Sequence, residues 1–332
     1  MLNRKLRCPM IVLSLLLALA LGACGGASSS SSRSASSQGS SVAASGGSSD
    51  SPSAASKDTQ GVFLVVAGEN FWGSLATQLA GAKAVVRSII VNPATDPHAY
   101  TATASDSVLF AQSRLAIVNG IGYDRWASQS LAASPSASRV VLNVGDLLGL
   151  KEGDNPHQWY SPSSVSKVVD EIVADYRRLD PADAAYFDQQ KQTFDTQALA
   201  RYNLLGKEIR AKYAGVPVGY SESIFQPLGE ELGLKLLTPP SFAKAIAEGS
   251  EVAAADKQTV ASQAQNRQIK VWIYNSQNTT PDVQRVTSIV KAQHIPIATV
   301  SETLSPASDN FEQWQAAELQ GLLSALHQAT GR

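Results

Sequence analysis

Cysteine is nearly missing from this 332-residue chain: there are two, Cys8 and Cys24, both near the start. If that segment is cleaved and Cys24 is acylated, no thiol remains for a disulfide, a Cys-rich zinc site or a nucleophile. Any metal then has to be held by nitrogen and oxygen. Histidine is scarce too, with four residues in all, at 98, 157, 294 and 327. An excess of one charge is absent, since 27 Lys and Arg stand against 28 Asp and Glu. No basic stripe appears either, which argues against nucleic acid as a partner. After Leu21 no apolar run reaches the length needed to span a bilayer.

What is present begins with Arg4, Lys5 and Arg7 ahead of an apolar run, Met10 to Leu21, closed by Leu21-Gly22-Ala23-Cys24. This pattern resembles a bacterial lipoprotein signal, with residues 1–23 removed and Cys24 carrying the lipid; the competing reading is an ordinary signal with an incidental cysteine. Loss of the three cations moves the net charge from −1 to about −4. From Gly25 to Lys57, 16 of 33 residues are serine and none is aromatic, so the segment cannot bury enough apolar surface to offset the cost of ordering. Residues 24–58 are therefore expected to be a tether with a root-mean-square span of about 30 Å.

The rest of the chain is long enough for two lobes with separate cores. Its first part, 59–162, alternates β-rich runs with helical ones: "VFLVVA" at 62–67, a helix over 71–81, "AVVRSIIV" at 84–91, a polar helix near 103–113, "LAIVN" at 115–119 and "RVVLNV" at 139–144. Strands without polar alternation are buried on both faces, the signature of a parallel sheet between helices. Residues 163–214 are nearly all helix-favouring, with Asp180 placed as an N-cap and Pro181 at the first helical position. A helix from there to Tyr213 would be about 45 to 50 Å long and would act as a rigid strut. Residues 215–332 repeat the alternation with strands at 216–220, 234–238, 270–275 and 295–300 and a last helix from about Asn310. The expected fold is α/β, two lobes each with a mostly parallel sheet flanked by helices, joined by a long linking helix, with the ligand site in the cleft between them.

Ligands of open α/β sheets gather beyond the carboxyl ends of the strands. His98 follows the strand at 84–91, Glu222 the strand at 216–220 and Glu302 the strand at 295–300, while His157 precedes the linking helices. Two imidazoles and two carboxylates, two from each lobe, would neutralise one divalent cation. The histidines share a setting, "DPHAY" and "NPHQWY", in which the preceding proline fixes the backbone and presents the ring rigidly. Tyr100 and Trp159 could wall the site, and Asn275, at a strand end, could support it by hydrogen bonding.

These phrases together resemble the metal-receptor lipoproteins of bacterial ABC importers for zinc and manganese. The similarity rests on "NPATDPHAY" (92–100), "IVNGIGYDRW" (117–126), "NPHQWYSP" (155–162), "ESIF" (222–225) and "VSETLSP" (300–306), within about residues 60 to 330. The resemblance implies that His98, His157, Glu222 and Glu302 take the ligand positions. It also implies a monomer anchored through Cys24 on the extracytoplasmic face of the membrane, handing its ion to a permease driven by an ATPase, with little lobe movement. Many zinc-handling relatives have a third histidine where this chain has Glu222, and a His-rich acidic loop that is absent here. The harder ligand set tilts toward manganese, but imidazole and carboxylate also suit zinc, so the cargo is read as either ion.

Other readings compete. Glu222 could be a helix N-terminal carboxylate, and Glu302 a solvated loop acid. "GYSES" (219–223) approaches a hydrolase nucleophile elbow around Ser221, with His294 or His327 as base, but lacks the second glycine. A receptor for an organic or chelated-metal ligand would share the lobes without needing four convergent donors, and an adhesive role is untouched by these residues. "ENFWGS" (69–74) and Trp126 read as packing aromatics.

Overall fold

The β-rich runs do form strands in parallel sheets, buried at the centre of each sheet, whereas the edge runs at 84–90, 140–143 and 235–236 stay partly exposed. The computed structural model describes residues 62–332; the signal, Cys24 and the serine tether all lie outside the described residues. The first lobe runs β1 (Phe63–Glu69), α1 (Asn70–Ala80), β2 (Ala84–Ile90), α2 (Ala104–Gln112), β3 (Leu115–Val118), α3 (Arg125–Ala133), β4 (Val140–Asn143), α4 (Val144–Leu148) and α5 (Pro162–Leu179). Two helices follow, α6 (Ala184–Thr193) and α7 (Ala200–Tyr213). The second lobe runs β5 (Pro217–Tyr220), α8 (Gln226–Glu231), β6 (Lys235–Leu236), α9 (Pro240–Ala247), α10 (Ala254–Gln265), β7 (Val271–Asn275), α11 (Pro281–Ala292), β8 (Ile297–Val300) and α12 (Phe311–Thr330). Among the described residues no helix is long and apolar enough to cross a membrane.

The two sheets have the same strand order, β2-β1-β3-β4 and β6-β5-β7-β8, and every pairing is parallel. In each, the order reverses between its two central strands, β1 and β3 or β5 and β7. That reversal leaves a crevice at the carboxyl ends, the place where doubly wound sheets bind ligands.

Two expectations need correction. The strut is not one α-helix: Pro181–Asp183 is a 3-10 turn, and a π-helical turn, Phe194–Ala198, separates α6 from α7. An extra residue in the ladder rotates the helix face, and Phe187 before it, Phe194 at its start and Tyr202 and Leu205 after it are all buried. Helix α5, in the segment expected to link, packs on the first lobe instead, its Tyr176 ring against Phe63 of β1 and its hydroxyl donating to the Ala76 carbonyl of α1 at 2.8 Å.

The cores are also not separate. Each lobe has its own cluster on the outer side of its sheet, around Val66, Phe110 and Trp126 in the first and Phe242, Trp272 and Val286 in the second. The inner cluster is shared: Phe71, Trp72 and Trp159 belong to the same contiguous apolar body as Tyr220, Ile273 and Trp314. Polar bonds reinforce it, the Tyr160 hydroxyl donating to the Ser301 carbonyl at 2.9 Å and the Phe311 amide to the Ser74 hydroxyl at 2.9 Å.

Candidate metal site

Both histidine phrases fold as turns in which an Asx side chain accepts from the histidine's own amide. Asp96 Oδ1 accepts from the His98 N–H at 2.9 Å, and Asn155 Oδ1 from the His157 N–H at 3.1 Å. Proline between the two fixes φ and has no N–H to compete. Asn155 does more, because its Oδ1 also meets His157 Nδ1 at 2.7 Å. That contact requires a proton on Nδ1, so Nε2 is the atom left as a lone-pair donor.

His157 is fully buried, and its Nε2 has no hydrogen-bond partner. It lies 3.7 Å from Glu222 Oε1 and 3.7 Å from Glu302 Oε2. Glu222 Oε1 is likewise buried without a partner. One donor atom from each of the three residues falls within 4.8 Å of the others, although they come from loops 65 and more positions apart. Buried polar atoms are rarely left unpaired, and an imidazole lone pair facing two carboxylates is a donor set that only a cation or shared protons can satisfy.

Tyr123 and Asn275 hold the acids. The Tyr123 hydroxyl donates to Glu302 Oε2 at 3.1 Å, and the Asn275 amide donates to Glu222 Oε2 at 2.7 Å and to Glu302 Oε1 at 3.0 Å. Neither bland reading of the carboxylates holds: Glu222 makes no capping bond to the short turn that follows it, and Glu302 is buried.

Electrostatics follow burial. Desolvation raises Glu302 well above the usual carboxylate range, with the Glu222 charge as the next cause, and it raises Glu222 as well. Desolvation, then the neighbouring His98, holds His157 well below an ordinary imidazole. Burial thus favours neutral rings and opposes both carboxylates being ionised together in the metal-free site.

The fourth expected donor, His98, stands at the rim. Its side chain is exposed, though enough protein surrounds the ring for burial to lower its pKa. Its ring centre is 6.0 Å from that of His157 and 4.5 Å from that of Tyr123. Two imidazoles on one tetrahedral ion at about 2.1 Å have ring centres about 5.2 Å apart. His98 thus comes within reach by a shift of about one ångström.

Of the expected supporting residues, Trp159 is fully buried with its ring 5.2 Å from that of His157, and Asn275 bridges both acids. Tyr100 is placed differently: its hydroxyl donates to Asp106 at 2.8 Å and its ring stands on Trp126 at the mouth of the cleft. The mouth opens into a cavity of about 820 Å³ lined by Tyr100, His98, Arg125, Trp126 and Lys244 among others. Ser221 Oγ accepts from the backbone N–H of Asn275 at 2.9 Å, and His294 and His327 are exposed.

Sequence reasoning did not assign Tyr123, Asn155 or Asn119. Asn119 sits just past β3, its amide donating to the Pro156 carbonyl at 3.0 Å and its Oδ1 accepting from Trp72 Nε1 at 3.0 Å, so it ties the His157 turn to the first sheet. The signal was available, as Asn119 and Asn155 occupy strand-end and Asx-Pro positions. Glu69, at the end of β1, was also missed; it is fully buried with neither oxygen partnered, and burial raises it well above the usual range.

The family model described as "ZnuA: Zinc-uptake complex component A periplasmic" matches residues 65–325. The chain belongs to this ZnuA family. Members are substrate-binding components that work with the permease and ATPase of ABC metal importers, so the chain is the extracytoplasmic metal-binding component of such an importer. The family is one of binding proteins and not of enzymes, and neither a hydrolase nor an organic-ligand receptor is favoured. The chain is 23% identical over 265 residues, 76% of its length and 75% of the relative's, to the manganese-binding lipoprotein MntA of Halalkalibacterium halodurans. Over 114 residues it is 26% identical to the zinc-binding protein TroA of Treponema pallidum, covering 32% of this chain and 37% of TroA. The fold matches the solved TroA structure with a TM-score of 0.66 at 19% identity, over 80% of this chain and 99% of that one. It matches a manganese-bound periplasmic metal-binding protein from Candidatus Liberibacter asiaticus with a TM-score of 0.66 at 18% identity, again over 80% of this chain and 99% of that one.

Proposed function

We propose that His98, His157, Glu222 and Glu302 together hold one divalent transition ion, zinc or manganese, as the cargo of this importer component. The observation that carries the reading is the pair of buried, partnerless donors, His157 Nε2 and Glu222 Oε1, 3.7 Å apart with Glu302 Oε2 at the same distance from the ring. His157, Glu222 and Glu302 form the closed side, and His98 completes the set from the rim as the last ligand to engage. Two neutral imidazoles and two carboxylates cancel the charge of the ion, which offsets its cost of burial.

The N-terminal features extend the same reading. Cys24 anchors a monomeric receptor by its lipid to the outer face of the cell membrane, and the serine tether lets residues 59–332 reach the permease. Residues 59–162 and 215–332 serve as the two ligand-supplying lobes, with 163–214 between them.

The test is elemental analysis of chelator-stripped protein reloaded with zinc or manganese. One ion per chain is expected in the wild type, and none retained through desalting in His157→Ala. Wild-type protein that takes up no ion, or His157→Ala that keeps its ion, would overturn the assignment.

A further inference from the structure

One acid outside the donor set touches the two segments that carry His157 and Glu302. Glu318, on α12, meets the Tyr160 hydroxyl through Oε2 at 2.5 Å and Ser301 Oγ through Oε1 at 2.9 Å, and Trp314 Nε1 donates to Oε1 at 2.8 Å. Tyr160 stands three residues after His157, and Ser301 immediately precedes Glu302. These two residues also bond each other: the Tyr160 hydroxyl donates to the Ser301 carbonyl at 2.9 Å, and the Ser301 N–H donates to the Tyr160 oxygen at 3.2 Å. Glu318 therefore braces a polar joint between the His157 turn of the first lobe and the Glu302 loop of the second.

The joint has one hydrogen too few for an ionised acid. Tyr160 carries a single hydroxyl hydrogen and faces two oxygens that could take it, the Ser301 carbonyl and Glu318 Oε2. A carbonyl can only accept, whereas a neutral carboxyl group can donate. All three contacts of the Tyr160 oxygen are satisfied together when Glu318 Oε2–H and the Ser301 N–H donate to it and it donates to the Ser301 carbonyl. An ionised Glu318 would draw the tyrosine hydrogen to itself and leave that carbonyl without a partner among the described contacts. The surroundings favour the neutral form. Glu318 is partly buried as a residue, yet β7, β8 and α8 present Ile273, Val300 and Leu228 beside it, and burial pushes its carboxyl up to about 8. Tyr160 is the titratable group bonded to it, Glu302 is a further acid acting on Tyr160, and no Lys, Arg or His pairs with Glu318 among the described residues.

We propose that Glu318 is a positioning residue that works as a neutral acid, its proton completing the Tyr160–Ser301 joint and so holding His157 and Glu302 at the separation the ion needs. The inference rests on the four-ligand reading above and adds a residue that touches no ion. It also gives the site an alkaline limit. As pH rises through about 8 the proton leaves, the Tyr160 hydrogen turns to the carboxylate and the joint loosens. The affinity that this contact supports is present below that pH and lost above it.

Glu318→Gln and Glu318→Leu separate the roles. Glutamine donates to Tyr160 and accepts from Trp314 at any pH, and so copies the neutral acid; leucine fills the space and does neither. At pH 7, Zn²⁺ affinity read by chelator competition is expected to fall about tenfold in Glu318→Leu and to return to within about twofold of wild type in Glu318→Gln. Between pH 7 and pH 9 the wild type should lose about fivefold relative to Glu318→Gln, a ratio in which hydrolysis of the metal ion cancels. Infrared spectra of the metal-free chain need neither an ion nor a folded leucine variant. The carbonyl stretch of a neutral carboxyl group should be stronger at pH 7 in wild type than in Glu318→Gln, and that excess should vanish at pH 9. Glu318→Gln as weak as Glu318→Leu, an affinity ratio that stays flat with pH, or wild-type and glutamine spectra with the same neutral-carboxyl band would each overturn the inference. Any of these leaves the four-ligand assignment standing. Wild-type protein that binds no ion removes that assignment instead, and the infrared comparison still decides whether Glu318 holds its proton.

Discussion

Asp96-Pro97-His98 and Asn155-Pro156-His157 make the same turn, with the same side-chain-to-amide bond closing it. The first leaves its ring exposed at a cavity mouth, with no hydrogen bond to either ring nitrogen among the described contacts. The second buries its ring completely, fixes Nδ1 against Asn155 and packs against Trp159. Local sequence determines how a histidine is presented, and the surrounding core determines whether it is immobilised. On the four-ligand reading proposed above, a receptor that must both grip and release an ion would use one of each.

The sharpest way to break this comparison is to remove the rings singly. His157→Ala is expected to lower metal affinity by more than about 100-fold, beyond the usual cost of losing a supporting residue. His98→Ala should cost about tenfold and act mainly on the dissociation rate. Chelator competition and stopped-flow release measure the two quantities, and equal losses would mean that the turns are not functionally distinct.

Next in size is the asymmetry between the two Asx residues. Asn155→Ala frees Nδ1 and also removes the bond from Asn155 to the Ser223 carbonyl across the cleft, 2.8 Å. An affinity loss of about 10- to 100-fold is expected, within the range for groups that orient a ligating histidine. Asp96→Ala loses only one exposed bond to its own turn and should cost no more than about fivefold. It is the smallest of these effects, and a titration of both variants under one set of conditions ranks them.

Between these lies a proton. From sequence, the loss of affinity in acid falls near pH 6.5 and is carried by imidazole. The folded site moves it to the carboxylates. Burial lowers His157 and His98, favouring the neutral rings a metal needs, whereas it raises Glu222 and Glu302 and so favours a proton on the acids. On the proposed ligand set binding needs both acids ionised, so a proton held by the raised pair has to leave, and affinity falls as pH falls. Calorimetry at pH 7 in buffers of different ionisation enthalpy should show proton release on ion binding. No release at pH 7 would return the pH dependence to the histidines.

Much of this was legible beforehand because parallel strands buried on both faces lose their polar alternation and ligands gather at their carboxyl ends. Those two regularities located His98, Glu222, Glu302 and Asn275 by position alone. The long-range partners were not legible. Tyr123 reaches Glu302 across 179 positions, and no periodicity or spacing encodes such a meeting. The break between α6 and α7 was hidden for a related reason, as a helix-favouring composition says nothing about which face must meet the core after Phe194. The shared inner cluster was missed because apolar residues announce that they will be buried, but not against which neighbour.

That shared cluster limits how the molecule can report its load. Prising the halves apart would expose Phe71, Trp72, Trp159 and Trp314 to water, so a wide clamshell motion is disfavoured by the apolar surface it would uncover. Filled and empty forms should then have nearly the same outline in solution scattering. A transporter would then tell them apart at the lip of the cleft, where on the proposed reading the exposed His98 completes the site.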